Sequence, residues 1–159
     1  MNKIHPTAII YPNVIIGDNN TIGAYCIIGS SAEWKGNEEQ TGNVIIGNNN
    51  FITGLVTIDS GVNNPTQIGD NCYLMKQVHI GHDAIISDNV TLSCGAKIGG
   101  HCIIARNTNI GLNAVIHQKV IIPEGCMIGA SAFVGKKSVL KSFHKYVGVP
   151  VKELGKNIR

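Results

Sequence analysis

Residues 68–140 read IGDNCYLMKQVHIGHDAIISDNVTLSCGAKIGGHCIIARNTNIGLNAVIHQKVIIPEGCMIGASAFVGKKSVL. Stepping by six from Ile68 meets Leu74, Ile80, Ile86, Leu92, Ile98, Ile104, Ile110, Ile116, Ile122, Ile128, Val134 and Leu140, an aliphatic residue at every step. Upstream, Ile4, Ile10, Ile16, Ile22 and Ile28 share one phase, and Ile46, Ile52 and Ile58 continue it. Glycine often follows the aliphatic, as at Gly69, Gly81, Gly99, Gly111 and Gly129. Four places after the aliphatic stands a small residue: Cys72, Val78, Ala84, Val90, Ala96, Cys102, Thr108, Ala114. A period of six fits neither the 3.6 of a helix nor the 2 of a simple strand. It fits short strands joined by tight turns and wound into a parallel β-helix, three hexads to a coil. The aliphatic residue then fills the interior. The small residue sits near a corner, where a larger side chain would overpack. Asn and Gly at the turns tolerate positive φ.

Composition agrees with a solenoid. The chain has 159 residues, of which 43% are hydrophobic, 14% charged and 5% aromatic, against a usual charged share of about a quarter. So few aromatics exclude a large aromatic core, and the hydrophobic share excludes disorder driven by charge. The length suffices for one domain. A formal net charge of +3, with no basic run interleaved with aromatics, gives no nucleic-acid groove. The opening MNKIHPTAII lacks the long apolar core of a signal peptide, and no apolar stretch approaches the roughly 18 residues of a membrane span. A soluble cytoplasmic protein is expected. The five Cys are odd in number and lack paired CxxC spacing, against a disulfide framework or a structural zinc site. Cys26, Cys72, Cys102 and Cys126 fall in the small-residue column and read as small buried hydrophobes; Cys94 lies outside it.

The expected architecture is therefore all-β, a single domain, with the β-helix over residues 1–142. Two stretches interrupt it. Residues 31–42 (SAEWKGNEEQTG) break the pattern without shifting its frame, and residues 59–67 (DSGVNNPTQ) shift it by four. Loops on a rigid scaffold are common places for binding residues. Residues 143–159 read as a basic C-terminal tail that covers the open end of the last coil. Seven of the 13 Lys and Arg lie at Lys136, Lys137, Lys141, Lys145, Lys152, Lys156 and Arg159, and such an end can receive phosphates.

Four of the six His (His79, His82, His101 and His117) lie within 39 residues. With a coil of about 18 residues and rungs roughly 4.8 Å apart, His82, Gly100 and Gln118 share one column, beside His101 and His117. This suits acyl transfer. A base must take a proton from an attacking hydroxyl or amine, and a donor must meet the oxygen of the tetrahedral intermediate. His82 is the candidate base, the Gly100 N–H the candidate donor, and Asp83 is placed to orient or polarise His82. Zinc held by His from neighbouring chains, as in gamma-class carbonic anhydrases, is the metal alternative. That family has a second His five residues after the one in its IGH segment, where this chain has Ser87, so no metal is expected.

The stretch HIGHDAIISDNVTLSCGAKIGGHCIIARNTNIGLNAVIHQ, from His79, resembles the UDP-N-acetylglucosamine O-acyltransferase family of lipid A synthesis. The opening IHPTAII and the EWK loop also match. The resemblance implies a left-handed β-helix, a homotrimer and active sites in clefts between subunits. It gives His82 the role of general base, Asp83 that of its partner and Gly100 that of the oxyanion amide. His79, His101 and His117 would line the cleft and contact substrate, and Gln118, from its place in the column, is expected to bind substrate beside them. Glu33 and Lys35, aligned with a one-residue gap, would lie near the acceptor sugar. Enzymes of that family carry a C-terminal helical domain, whereas the terminal YVGVPVKELGKN resembles the GVPAK ending of hexapeptide acetyltransferases that use acetyl-CoA. The expectation is a short relative that acylates a hydroxyl or amine of a sugar, nucleotide-linked, in bacterial surface glycan synthesis. Lys136, Lys137 and Lys152 would serve the phosphates of CoA. No permanently bound cofactor is implied; acetyl-CoA or acyl carrier protein is the co-substrate. The alternatives are a carrier-protein-dependent enzyme of lipid A type and an inactive sugar-binding or scaffold trimer.

Overall fold

A computed structural model describes residues 1–36 and 42–158. The all-β reading holds: the described residues form three sheets of nine, seven and six strands, parallel but for the last strand of the first. These are the faces of a prism. Sheet A contains Lys3–Ile4, Thr21–Ala24, Phe51–Gly54, Tyr73–Leu74, Thr91–Leu92, Asn109–Ile110 and Met127–Ile128. Sheet B contains Ile9–Ile10, Ile27–Ser30, Thr57–Asp59, His79–Ile80, Lys97–Ile98, Val115–Ile116 and Phe133–Val134. Sheet C contains Val14–Ile16, Val44–Ile46, Thr66–Ile68, Ile85–Ile86, Ile103–Ile104 and Ile121–Ile122. No helix among them is long and apolar enough to cross a membrane.

The period of six is visible in the packing. From Ile22 to Val134 the stepping aliphatics are buried at 2% exposure or less, each stacked on its equivalents in the coils before and after. Interior contacts are thus like on like, at the spacing of the strand ladder. Towards either end the column is partly open: Ile4 is 44% exposed, and Ile10, Ile16 and Leu140 are half-buried. Corners alternate with strands, and the third residue after the aliphatic adopts positive φ on coil after coil. At the corner from sheet C to sheet A this residue is Asn19, Asn49, Asn71, Asn89 and Asn107. Asn tolerates that conformation better than other L residues.

Both interruptions leave from the same corner, between sheets B and C. In regular coils the partner strand lies 18 residues on, as in Ile86↔Ile104. Across the first insertion Ile16 pairs with Ile46, and across the second Ile46 pairs with Ile68. The loop of residues 31–42 is described only in part, because 37–41 lie outside the described residues. The loop of residues 59–67 is tied down by one side chain. Asp83, buried and one coil further on, accepts hydrogen bonds from Val62 N–H (2.8 Å) through Oδ2, and from Asn63 and Asn64 N–H (2.9 and 2.6 Å) through Oδ1. Its own N–H donates to Thr66 Oγ1 at 2.9 Å.

The segment read as a basic tail contributes structure. His144–Val147 pairs in parallel with Met127–Ile128 as the next strand of sheet A, and Lys152–Lys156 returns antiparallel beside it. Tyr146 enters the core column at 3% exposure, and its hydroxyl accepts from the Lys141 N–H at 2.7 Å. The last coil is closed by the chain itself. Arg159 lies outside the described residues.

The four column cysteines are buried, and Cys94 is partly exposed. Cys72 and Cys102 donate to the carbonyls of Ser87 and His117, each at 3.1 Å, and burial pushes both thiols up to about 11. Titration of the native protein with a thiol reagent should therefore count one reactive cysteine, rising to five on unfolding. A second outcome follows from Asp83. Burial disfavours its charged form, but the His82 hydrogen bond and the three loop N–H groups more than offset this and hold its carboxyl below the usual range. The anchor is therefore at full strength above about pH 4, the ordinary aspartate value, and is lost only as pH falls through the lower folded value. Charge-assisted hydrogen bonds are worth about 1.5–3 kcal/mol each. Asp83→Asn should thus speed amide exchange at Val62, Asn63 and Asn64 by ~10-fold or more, with the core strands unchanged.

Candidate active site

The corner between sheets B and C is a ridge that repeats once per coil. Rung by rung it presents the loop from residue 31, the loop from residue 59, His82–Asp83, Gly100–His101, Gln118–Lys119 and Lys136–Lys137. The strands before it (His79–Ile80, Lys97–Ile98, Val115–Ile116, Phe133–Val134) are in register, so the corner residues stack. At this corner the positive-φ position is taken by Asp83, His101 and Lys119 rather than by Asn. Side chains with chemistry therefore occupy a conformation that costs on the order of 1 kcal/mol or more for most L residues.

His82 is held on three sides. Its Nδ1 lies 2.9 Å from Asp83 Oδ2. Asp83 keeps its negative charge through the donors already described, so Nδ1 carries the proton and Nε2 is left with a free lone pair. The indole of Trp34 stacks on the imidazole with centroids 5.4 Å apart and planes at 21°. His101 meets it edge-on at 4.9 Å and 85°. Nε2 lies against Gly100, where a Cβ would sit 2.8 Å from it.

Gly99 N–H donates to Ile116 O and His101 N–H to His82 O, but Gly100 N–H meets no acceptor among the described residues. The corner leaves one such N–H per coil, because strand pairing commits the amides on either side. Glycine at 81 keeps the approach open, since a Cβ there would lie 2.8 Å from the Gly100 nitrogen. The ridge thus sets a proton acceptor beside an uncommitted N–H donor.

A cleft of about 280 Å³ opens here, lined by Glu33, Trp34, Lys35, His82, His101, Gln118 and Lys119. The structure brings together His82, Asp83, Gly100, His101, Gln118, Glu33 and Lys35. His117 stands half-buried on the same ridge, its Nδ1 3.0 Å from Gln118 O. His79 lies one strand back on sheet B, with Nδ1 2.8 Å from Thr57 Oγ1 and Nε2 3.8 Å from Asp59 Oδ2. Lys136 and Lys137 continue the ridge. Lys152 does not: it opens the returning strand of sheet A. Trp34, Lys119 and Asp59 were not singled out from the sequence. Trp34 is the chain's sole tryptophan, inside an insertion, and that was a usable signal. Asp59 needed the second insertion counted as a 22-residue coil, which stacks Thr57 on His79.

His82, Asp83 and His101 offer ligand atoms within 4.8 Å of one another, close enough for a metal ion. The two Asp83 oxygens, however, already accept from three N–H groups and the His82 imidazole. That leaves two imidazoles, short of the three protein ligands of a typical catalytic zinc site.

The bacterial transferase hexapeptide pattern (six repeats) matches residues 1–30 and 65–100. The acyl-[acyl-carrier-protein]–UDP-N-acetylglucosamine O-acyltransferase of Campylobacter lari is 42% identical, over 57% of this chain and 49% of the relative. The enzyme of the same name from Nautilia profundicola is 42% identical over 51% of this chain and 32% of its own. The chain thus spans between a third and a half of the curated relatives it matches. The solved UDP-N-acetylglucosamine acyltransferase of Francisella novicida superimposes with a TM-score of 0.84 at 26% identity, over 98% of this chain and 67% of that one. That of Bacteroides fragilis does so with 0.83 at 29%, over 98% and 61%. The prism is accordingly the left-handed parallel β-helix of these structures. Repeat, fold and similarity agree: the hexapeptide pattern matches residues 1–30 and 65–100, and the chain's resemblance runs to the UDP-N-acetylglucosamine O-acyltransferases.

Proposed function

We propose that this chain carries the catalytic centre of an acyltransferase that moves an acyl group from a thioester donor to a hydroxyl or amine of a nucleotide-linked sugar. The observation that supports it best is His82 Nε2, lying against Gly100 beside an N–H that meets no acceptor among the described residues. In this reading Nε2 takes the proton of the acceptor as its oxygen or nitrogen attacks the thioester carbonyl. The proton on Nδ1, held by Asp83, keeps the imidazole in the tautomer that can accept. Gly100 N–H meets the oxygen of the tetrahedral intermediate; one such donor is worth about 100- to 1,000-fold in rate. Collapse expels the thiolate, which recovers the proton from His82. No covalent enzyme intermediate is required.

The ridge supplies the rest. Glu33, Lys35, His79, His101, His117 and Gln118 bind the acceptor sugar. Lys119, Lys136 and Lys137, on successive rungs beyond it, face the phosphates of nucleotide or donor. Donor acyl-CoA and acyl carrier protein present the same thioester; the names of the relatives put the weight on the carrier protein. The active form is a homotrimer. Along one column on the outer face of sheet C, interrupted by Gln67, stand the exposed Ile15 (57%), Ile45 (37%), Ile103 (36%) and Ile121 (61%) and the half-buried Ile85. An apolar stripe of this length calls for a covering partner. The setting is the cytoplasm and the product feeds surface glycan synthesis.

His82→Ala should keep the oligomer and the melting midpoint while lowering turnover by about 100- to 10,000-fold, the range of a general base. Turnover surviving within about tenfold would remove His82 from the role. A panel of acetyl-CoA, longer acyl-CoAs and acylated carrier protein against one nucleotide sugar separates the donors. Failure of every donor with retained sugar binding would leave the scaffold reading in place.

A further inference from the structure

Residue 118 stands one rung after Gly100, and the corner between sheets C and A shows what that position can do. There the second residue after the aliphatic is, coil by coil, Asp18, Asn48, Asp70, Asp88, Arg106 and Glu124. Strand pairing gives its N–H no backbone acceptor, just as at Gly100. On three coils the side chain one rung on supplies one. Asp18 N–H donates to Asn48 Oδ1 at 2.8 Å, Asn48 N–H to Asp70 Oδ1 at 2.6 Å and Asp70 N–H to Asp88 Oδ1 at 2.8 Å. A glycine before each donor makes room, since a Cβ at Gly17, Gly47 or Gly69 would lie 2.2–2.5 Å from the capping oxygen. A longer acid ends the pattern. Ala105 takes the glycine's place and Glu124 that of the shorter cap, and Arg106 N–H meets no acceptor among the described residues. Glu124 Oε1 instead accepts from Asn107 Nδ2 at 3.3 Å and lies 3.9 Å from Arg106 Nε.

The cleft corner repeats this geometry with a different side chain. Ile98 pairs with Ile116, so Gln118 stands to Gly99 and Gly100 as Asp88 stands to Gly69 and Asp70. Room for a cap is present. A Cβ at Gly99 would lie 2.6 Å from Gln118 N, as one at Gly69 would lie 2.9 Å from Asp88 N. Yet Gly100 N–H goes uncapped, and the Gln118 side chain makes no hydrogen bond among the described residues. The difference is one methylene. Asn and Asp carry their oxygen on Cγ, close enough to turn back over the glycine. Gln carries it one carbon farther out, and Gln118 is exposed and lines the cleft. We infer that Gln118 is a positioning residue: the length of its side chain keeps the Gly100 N–H open to the oxygen of a ligand, and Asn or Asp at 118 closes it. A single methylene thus separates a corner that only holds the fold from one that offers a donor to chemistry.

This inference rests on the reading of Gly100 as the donor to the tetrahedral oxygen, and two readouts keep them apart. Amide hydrogen exchange at Gly100 and turnover are measured for the wild-type protein, Gln118→Asn, Gln118→Asp and Gln118→Ala. Asn and Asp should slow exchange at Gly100 at least tenfold and hold or raise the melting midpoint, because a hydrogen bond is gained. Their kcat should fall by about 100- to 1,000-fold, the worth of one oxyanion donor. Gln118→Ala loses its contact with the sugar and caps nothing: KM should rise, with kcat at least tenfold above that of Gln118→Asn. A side chain that only held the sugar would give the reverse order, since Asn keeps an amide and Ala does not. Unchanged exchange at Gly100 in both shorter variants, or a lower kcat for Ala than for Asn, overturns the inference. Slowed exchange with wild-type kcat upholds the cap and removes Gly100 from the mechanism instead. If no donor acylates any acceptor, the acyl-transfer reading falls and exchange alone decides. A shorter variant that fails to fold counts against the inference, because a cap at an exposed position adds to the fold.

Discussion

Register between successive coils is the constraint on which everything else depends. Each coil repeats the hydrogen-bond ladder of the one before, so a residue and its equivalent 18 places on are held one strand spacing apart. A solenoid of this kind is close to one-dimensional. Groups distant in sequence meet only if they share a column, and groups in a column meet whatever else the chain does. His82 and Gly100 are neighbours for this reason. The aliphatic column enforces the register, because slipping by one residue would turn the isoleucines outward.

The three corners of the prism have different duties. Between sheets C and A the turn residues are asparagines that adopt positive φ at little cost, and buried Asn20 and Asn50 satisfy neighbouring backbone groups. That corner maintains the fold. Between sheets B and C the same backbone position carries Asp83, His101 and Lys119, and both insertions leave there. Positive φ recurs at every corner, including Tyr25, Leu55 and Gln77 between sheets A and B, but the inserted loops and the histidine-bearing turns gather on this one ridge. Asp83 joins the two duties. Its oxygens fasten the second loop and fix the tautomer of His82, so the loop and the base share one anchor.

Periodic features were legible in the sequence, and aperiodic ones were not. Stepping by six named the buried column through Val134, and the small-residue column named four buried cysteines. The same arithmetic placed His82, Gly100 and Gln118 on one ridge. It also showed Asp83 as the neighbour of His82. It did not show that Asp83 fastens residues 62–64, because a loop conformation has no period. Trp34 on His82 escaped for the same reason. Beyond Leu140 the aliphatic pattern fades, and at the next step of six an aromatic residue, Tyr146, takes the core position and pairs with Ile128. There pairing with the strand Met127–Ile128 organises the chain.

The most direct measurement is a crystal structure with a non-hydrolysable thioether analogue of the acyl donor, its carbonyl intact. The account predicts the carbonyl oxygen at about 3 Å from Gly100 N, the distance of an oxyanion-hole donor, with His82 Nε2 facing the open side of the carbonyl carbon. A carbonyl bound away from residue 100, or a Gly100 N–H taken by a protein acceptor in the complex, would contradict it.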